Sequence, residues 1–273
     1  MSCPRTFPVS LALTISLLAL CTFSSAQISR GEQVQITPPL MRVIDPPSPD
    51  ASAYDLEMRA DQLRGSKLFL DALDYYHAAL SKTPGSSHVL NKIGITELMM
   101  QRFKEAKRSF EQSIKAEHAY ADAYNNLGVV YYEEKRYGAA VKQYHKAIGI
   151  DATSASFFSN LGAALFSKKE FDPAVQAYEK ALALDPEVFE RTSRAGVQAK
   201  LPSPEDRAHY DYTVARLYAK MGLSERSLEY LRKAMEEGYK DFKNVYKDEE
   251  FSSLRKDPRF TELVSAKTPV IPD

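Results

Sequence analysis

Apolar and small residues in the middle of the chain follow the spacing of helical faces. In residues 121–154 that spacing occurs twice, first at Tyr124, Leu127, Gly128 and Tyr131 and then at Ala140, Tyr144, Ala147 and Ile148. Positions i, i+3, i+4 and i+7 lie on one face of an α-helix. Polar residues such as Glu134, Lys135 and Arg136 separate the two stretches. The pattern therefore predicts two amphipathic helices joined by a short turn.

The same landmarks recur every 34 residues on both sides of this segment. One register holds glycine, at Gly94, Gly128 and Gly162, and another holds a large aromatic ring, at Tyr76, Phe110, Tyr144 and Tyr178. A period of roughly 20 to 50 residues is the signature of stacked supersecondary units. Glycine inside a helix costs about 1 kcal/mol relative to alanine, so its repetition predicts close helix packing. We divide this region into four repeats, 53–86, 87–120, 121–154 and 155–188.

These landmarks resemble those of the tetratricopeptide repeat (TPR) family. The matching residues are Tyr124, Leu127, Gly128, Tyr131, Ala140, Tyr144 and Ala147 in the third repeat, with Pro84 and Pro186 at repeat boundaries. The resemblance implies an all-α solenoid of helix–turn–helix units that winds into a right-handed superhelix. It also implies a non-catalytic protein whose partner is a peptide or another protein.

The chain departs from the period after the fourth repeat. Residues 189–207 contain Pro202 and Pro204 and show no helical stripe, which predicts an inserted linker. A divergent fifth repeat follows at 208–241. In it, Asp211 stands where the other repeats have Leu, Tyr or Phe. Stacking of the fifth repeat is therefore the least certain part of the array.

Residues 242–273 predict a helical cap and a tail. Asp257 is a favourable N-cap residue, and Pro258 suits the first turn of the helix that would follow. A repeat array needs such an end piece because its last unit otherwise exposes an apolar face. The segment also looks like the short Asp-Pro-Arg-Phe ending that follows many bacterial TPR arrays.

The first 26 residues predict a secretory signal peptide. Arg5 precedes an apolar run over residues 9–21, and small residues up to Ala26 suit cleavage at that point. Two alternatives stay open, an uncleaved membrane anchor and a lipid anchor at Cys21. Either anchor would be the only source of proximity to a membrane. We expect an exported bacterial protein, periplasmic or secreted.

Proline enrichment in residues 27–52 predicts an extended linker. A spacer is favoured over a proline-rich ligand for a partner, because the segment lacks basic flanks. The array would therefore begin at residue 53, after a stretch that supplies length alone.

Composition argues against most chemistry. The 36 basic and 36 acidic residues balance, so no charge excess favours nucleic acid. Both cysteines, Cys3 and Cys21, lie in the predicted signal peptide, and the five histidines show no metal-binding spacing. No nucleophile and base stand in a catalytic arrangement. We therefore predict neither an enzyme nor a cofactor or metal site.

The resemblance places the binding surface on the first helix of each repeat, at repeat positions 2, 5, 9, 12 and 13. These positions hold His88, Asn91, Ile95, Leu98 and Met99 in the second repeat and Asp122, Asn125, Val129, Tyr132 and Glu133 in the third, and they include Ser159 and Phe166 in the fourth. Asn91, Asn125 and Ser159 would form a polar ridge above an apolar floor. Amides can both donate to and accept from a peptide backbone.

Alternatives to an open groove remain at this stage. Ile95, Leu98, Met99 and Phe166 could instead be buried by a neighbouring helix, the linker or the C-terminal tail. Asn126 and Asn160 share repeat position 6, as in the asparagine ladder of the O-linked N-acetylglucosamine transferase superhelix. For function, the first hypothesis is a scaffold in envelope assembly or secretion. The second is a self-assembling structural component, since an oligomer is possible.

Overall fold

The computed structural model describes residues 41–189 and 204–265, and in these ranges the chain is built of helices joined by short turns. Four helix pairs are α1 (Ala53–Gly65) with α2 (Phe69–Lys82), α3 (Ser87–Met99) with α4 (Phe103–Ala116), α5 (Ala121–Glu133) with α6 (Tyr137–Ile150), and α7 (Ala155–Ser167) with α8 (Phe171–Leu184). A fifth pair is α9 (Pro204–Lys220) with α10 (Ser224–Glu236), and α11 (Pro258–Ser265) follows. Each second helix also packs on the first helix of the next pair. The predicted all-α solenoid of helix–turn–helix units is confirmed.

Several predicted segments lie outside the described residues. They are the signal peptide, the first part of the linker that follows it, and residues 190–203 of the inserted linker. Within residues 41–189 and 204–265, no helix is both long and apolar enough to cross a bilayer.

The turn inside each pair has the same backbone conformation. In the first four pairs it contains a non-glycine residue with φ between 58° and 65°, at Lys67, Gln101, Lys135 and Lys169. Such left-handed residues end helices because they let later N–H groups reach the last free carbonyls. In the third pair, Arg136 N donates to Tyr131 O at 2.8 Å. The sequence shows a polar turn here, and the structure adds that its geometry repeats every 34 residues.

The repeated glycines mark the places where the two helices of a pair touch. A Cβ atom added at Gly128 would lie 2.5 Å from Cε1 of Tyr144, and one added at Gly94 would lie 2.6 Å from Cε1 of Phe110. Both rings are fully buried, so neither can move aside freely. The aromatic ring of the second helix therefore occupies the volume that a side chain on the first would need.

The segment from residue 42 to residue 49 lies against α2, although the sequence favours a spacer there. Ile44 packs on the apolar cluster of the first repeat, which includes Leu73 and Tyr76. The prediction that this stretch is extended and proline-rich is compatible with the contact. Its description as a spacer is incomplete, because the acidic residues of α2 that hold it are far away in the sequence.

The fifth pair begins one helical turn earlier than the sequence predicts. α9 starts at Pro204, inside the stretch 189–207 that was assigned to an inserted linker. Proline is well tolerated in a first helical turn, because the N–H that it lacks has no partner there anyway. Pro204 therefore starts a helix, whereas the sequence analysis took it as a break.

The C-terminal segment keeps the repeat period. α11 begins at Pro258, 34 residues after the first residue of α10. Three 3₁₀ turns stand in place of a first helix, at Phe242–Tyr246, Glu249–Phe251 and Leu254–Lys256. Phe251 and Phe260 are buried, and the ring of Phe251 lies 5.7 Å from that of Tyr212 in α9. The segment thus covers the apolar end of the fifth pair, as an end cap must.

Asp211 introduces a carboxyl group into the packing between α9 and α10. Its side chain is only 8% exposed. Burial raises the pKa of Asp211 to about 7, and Glu237 raises it further, against the opposing effect of Lys233 and Arg207. The pKa in the unfolded chain is about 3.9. Stability from this group is therefore fully present below about pH 4 and is lost as the pH rises through 7.

We expect Asp211→Asn to unfold at a higher temperature than the unchanged protein at pH 8, with a gain of about 1–3 kcal/mol. The gain should vanish near pH 4, because both chains are then neutral at this position. Thermal unfolding followed by circular dichroism at pH 4, 6 and 8 measures it. Asp172→Asn on the exposed side of α8 is the control, and a gain that does not change with pH would contradict the assignment.

Candidate partner-binding surface

A row of buried amides joins the first helices of three successive pairs. Asn126 Nδ2 donates to Asn91 Oδ1 at 3.0 Å, and Asn160 Nδ2 donates to Asn125 Oδ1 at 3.0 Å. Asn125 Nδ2 also donates to Asn126 Oδ1 at 3.2 Å, which links the two bonds. We call these four residues the amide ladder. Each rung joins repeat position 5 of one repeat to position 6 of the next.

The ladder begins with an ion pair. Lys92 Nζ lies 2.6 Å from Glu57 Oε1 and 2.6 Å from Asp61 Oδ2, so the pair of Glu57 and Lys92 occupies the same two repeat positions as the amide rungs. His88 Nε2 lies 2.9 Å from Glu57 Oε2. Burial opposes ionisation of Glu57, but hydrogen bonds from Lys92 and His88 outweigh it and hold its pKa below the usual value. The first rung is therefore charged, whereas the next two are neutral.

The ladder changes the role of the predicted polar ridge. Asn91, Asn125 and Ser159 are all buried. The amides of the two asparagines bond to other repeats, and a buried amide satisfied in this way is costly to expose. The prediction that they face a ligand is corrected: these residues hold neighbouring repeats together.

The predicted apolar floor is largely interior as well. Leu98, Val129, Tyr132 and Phe166 are buried. Tyr132 has its hydroxyl 2.9 Å from Ser167 Oγ. Phe166 makes edge-on ring contacts with Phe171 and with residues of α9. For Leu98 and Phe166 the structure therefore matches the alternative of burial within the chain, because the next helices of the array cover them.

Five of the predicted residues keep accessible side chains. His88, Met99 and Glu133 are exposed, and Ile95 and Asp122 are half-buried. They lie on α3 and α5, which pack side by side. Burial raises the pKa of Asp122, and the nearby Asp151 carboxylate raises it further. We call these five residues the α3–α5 surface, and they remain a prediction as a binding site.

The largest hollows of the described surface lie elsewhere. One, of about 640 Å³, lies between α10 and α11 and is lined mainly by charged residues such as Arg232 and Glu262. Another, of about 700 Å³, lies beside the 3₁₀ turns, next to Arg216 and Lys247. Neither involves the α3–α5 surface. Across residues 41–189 and 204–265, no group of three His, Cys, Asp or Glu side chains could hold a metal ion.

Family models identify the repeats. One described as tetratricopeptide repeat matches residues 155–188, and one described as TPR repeat matches residues 130–169. Both fall on the helix pairs in which glycine faces an aromatic ring. The chain is a tetratricopeptide repeat protein. The glycine register and the aromatic register that first indicated this family are thus the contact between the two helices of each TPR unit.

Known proteins resemble parts of this chain. A segment of 63 residues, 23% of the chain, is 35% identical to a chloroplastic protein of Arabidopsis thaliana, and it spans 19% of that protein's length. The structure of MamA 41-end from Desulfovibrio magneticus RS-1 is 16% identical with a TM-score of 0.48, covering 72% of this chain and 97% of that one. YrrB, a TPR protein with an unusual peptide-binding site, is 20% identical with a TM-score of 0.45, covering 75% and 92%.

Proposed function

We propose that this protein is a non-catalytic scaffold that binds a peptide or protein segment on the α3–α5 surface. One observation carries the proposal. Met99 is 46% exposed at the end of α3, next to the half-buried Ile95 one turn earlier on the same helix. Apolar side chains in such a position supply the contact area on which affinity for a peptide depends.

Charge and polarity on this surface favour a partner with a basic side chain. Asp122 and Glu133 are the acidic residues of the surface, and His88 already contacts Glu57. Because the amide ladder is engaged within the protein, selectivity would come from these side chains rather than from buried asparagines. Acidic groups at the edge of an apolar contact mainly determine which partner binds and how fast.

The compartment is part of the proposal. Residues 1–26 have the basic start, apolar run and small residues of a secretory signal, which supports export to the periplasm or beyond. A partner in envelope assembly or secretion would follow from that location. The mass of the chain isolated from its native source tests this, because cleavage after Ala26 removes the whole segment.

A peptide-selection experiment tests the surface. Short random peptides displayed on phage would be selected against the purified protein, and the affinity of the selected peptides measured by calorimetry. We expect the double variant Met99→Glu with Glu133→Lys to bind them at least about tenfold more weakly, a loss of about 1.4 kcal/mol or more. Circular dichroism would check that the variant keeps its helices.

The matched control is Ile150→Glu. Ile150 is 41% exposed at the end of α6, so the change adds the same charge to an equally exposed apolar position on a second helix. It should leave the affinity unchanged. Equal binding to the double variant, or an equal loss in the control, would show that the peptides are recognised elsewhere.

A further inference from the structure

An extended segment of the chain is bound along α2 by specific contacts. The N–H groups of Val43 and Ile44 each donate to Asp71 Oδ1 at 3.1 Å. Arg42 Nη2 donates to Asp74 Oδ1 at 3.0 Å, and its Nε contacts the other oxygen of the same carboxylate. The guanidinium group and the carboxylate thus form a two-point contact of the kind that fixes orientation.

The rest of the segment follows α2 toward the C-terminal end of the helix. The hydroxyl of Tyr75 donates to Asp45 O at 3.1 Å, and Lys82 Nζ donates to Pro49 O at 2.7 Å. Contacts that lie later in the segment therefore fall later in the helix, so the two run in the same direction. We call Asp71, Asp74, Tyr75 and Lys82 the α2 site. Four side chains of one helix bind backbone or side-chain groups of five residues of the segment.

The α2 site has no counterpart on the other second helices of the first four pairs. Asp71 is 1% exposed, whereas the equivalent residues are Glu105 and Pro173, both exposed, and Ala139, which is half-buried. The residues equivalent to Asp74 are Arg108, Lys142 and Gln176. Only α2 places two acids at these positions. The covered acidic pair is thus specific to the helix that meets an arginine-bearing segment.

The composition of the segment suits this mode of binding. Pro46, Pro47 and Pro49 have no N–H group to satisfy and restrict the backbone to extended conformations, which lowers the entropy lost on docking. Ile44 adds apolar contact with the first repeat. Two of the N–H groups that precede the prolines are those that Asp71 accepts.

We propose that the α2 site is a second binding site of this protein, specific for an extended segment that begins with arginine and continues into prolines, and that residues 42–49 are its ligand in cis. The segment seals the apolar edge of the first repeat, as the C-terminal segment does for the fifth. Its binding is a separable association rather than part of the helical fold. The site therefore binds the same sequence as a free peptide once the chain's own copy is disabled.

A labelled peptide with the sequence of residues 40–50 tests this by fluorescence anisotropy. In the full chain, Arg42→Glu with Ile44→Asp would release the chain's own segment. We expect the peptide to bind that variant saturably and at least about tenfold more tightly than the unchanged protein, whose tethered segment competes at an effective concentration in the millimolar range.

Further variants assign the binding to the α2 site. Adding Asp71→Ala to the released chain should abolish binding, and adding Asp74→Arg should weaken it about tenfold. A peptide with glutamate in place of its arginine should regain affinity for the chain that carries Asp74→Arg. The variant Met99→Glu with Glu133→Lys should have no effect, which separates this test from that of the α3–α5 surface.

Two results would overturn the proposal. One is no peptide binding to a released chain whose circular dichroism is native. The other is binding that Asp74→Arg leaves unchanged. If Asp71→Ala fails to fold, Asp74→Arg decides alone, because the Asp74 side chain is 35% exposed and its replacement leaves the interior intact.

Discussion

Gly128→Ala is expected to destabilise the protein by about 2–3 kcal/mol, although alanine favours helices more than glycine does. The added methyl group would lie 2.5 Å from the ring of Tyr144, a distance that Cβ atoms do not adopt. Tyr144 is fully buried, so the ring can yield only if α5 and α6 separate. Urea unfolding followed by circular dichroism would show a lower midpoint.

Gly149→Ala is the matched control, because Gly149 lies near the end of α6 and has open space around its Cβ position. It should stabilise the protein by about 0.5–1 kcal/mol through helix propensity alone. The two glycines lie in neighbouring helices, yet the same substitution should have opposite signs. A stabilising Gly128→Ala would refute the close-contact explanation of the repeated glycine.

Asn125→Ala is expected to cost about 2–3 kcal/mol, because its loss removes two buried hydrogen bonds. Asn125 is 1% exposed, accepts from Asn160 in the next repeat and donates to Asn126 beside it. Because neighbouring repeats are coupled mainly through their shared interface, the unfolding transition should also broaden. The midpoint and slope of urea unfolding measure both effects.

Gln112→Ala controls for the loss of an amide from the surface. Gln112 is exposed on α4, and its replacement should change the free energy of unfolding by less than about 0.5 kcal/mol. An Asn125→Ala variant as stable as this control would show that the ladder contributes nothing. The same result would restore Asn125 as a candidate for partner contact.

The repeat pattern predicted most of the fold because each landmark reports a local requirement. Gly128 and Tyr144 touch within one helix pair, so their spacing survives in the sequence. The start of α9 at Pro204 was misplaced because proline is compatible with both a break and a first turn. The deciding factor is whether the following residues stack on the fourth pair, which is a tertiary contact.

The candidate site was predicted less well, for an identifiable reason. Position 5 was taken as facing a ligand, but Asn91 and Asn125 bond to position 6 of the next repeat. That contact spans 35 residues, one more than the period. Glu57 with Lys92 makes a compatible pair at the same separation. Comparing residues across that offset would have indicated the ladder from sequence alone.

Segment 42–49 shows a different limit. Its prolines predicted an extended backbone, but the composition of a segment does not state what it contacts. The missing information was on α2, where Asp71 and Asp74 stand at positions that hold basic or neutral residues or a lone acid in the other repeats. A linker and its binding site are thus recognised only together.

The charged first rung restricts which repeats can be neighbours. Loss of residues 121–154 would bring Asn160 opposite Asn91 and recreate an amide pair. Loss of residues 87–120 would instead bring Asn126 opposite Glu57 and remove the only lysine that contacts both acids of α1 in the described structure. Deletions of equal length are therefore unequal for this protein. The array can be shortened at its third repeat, but its second repeat is matched to the first by charge.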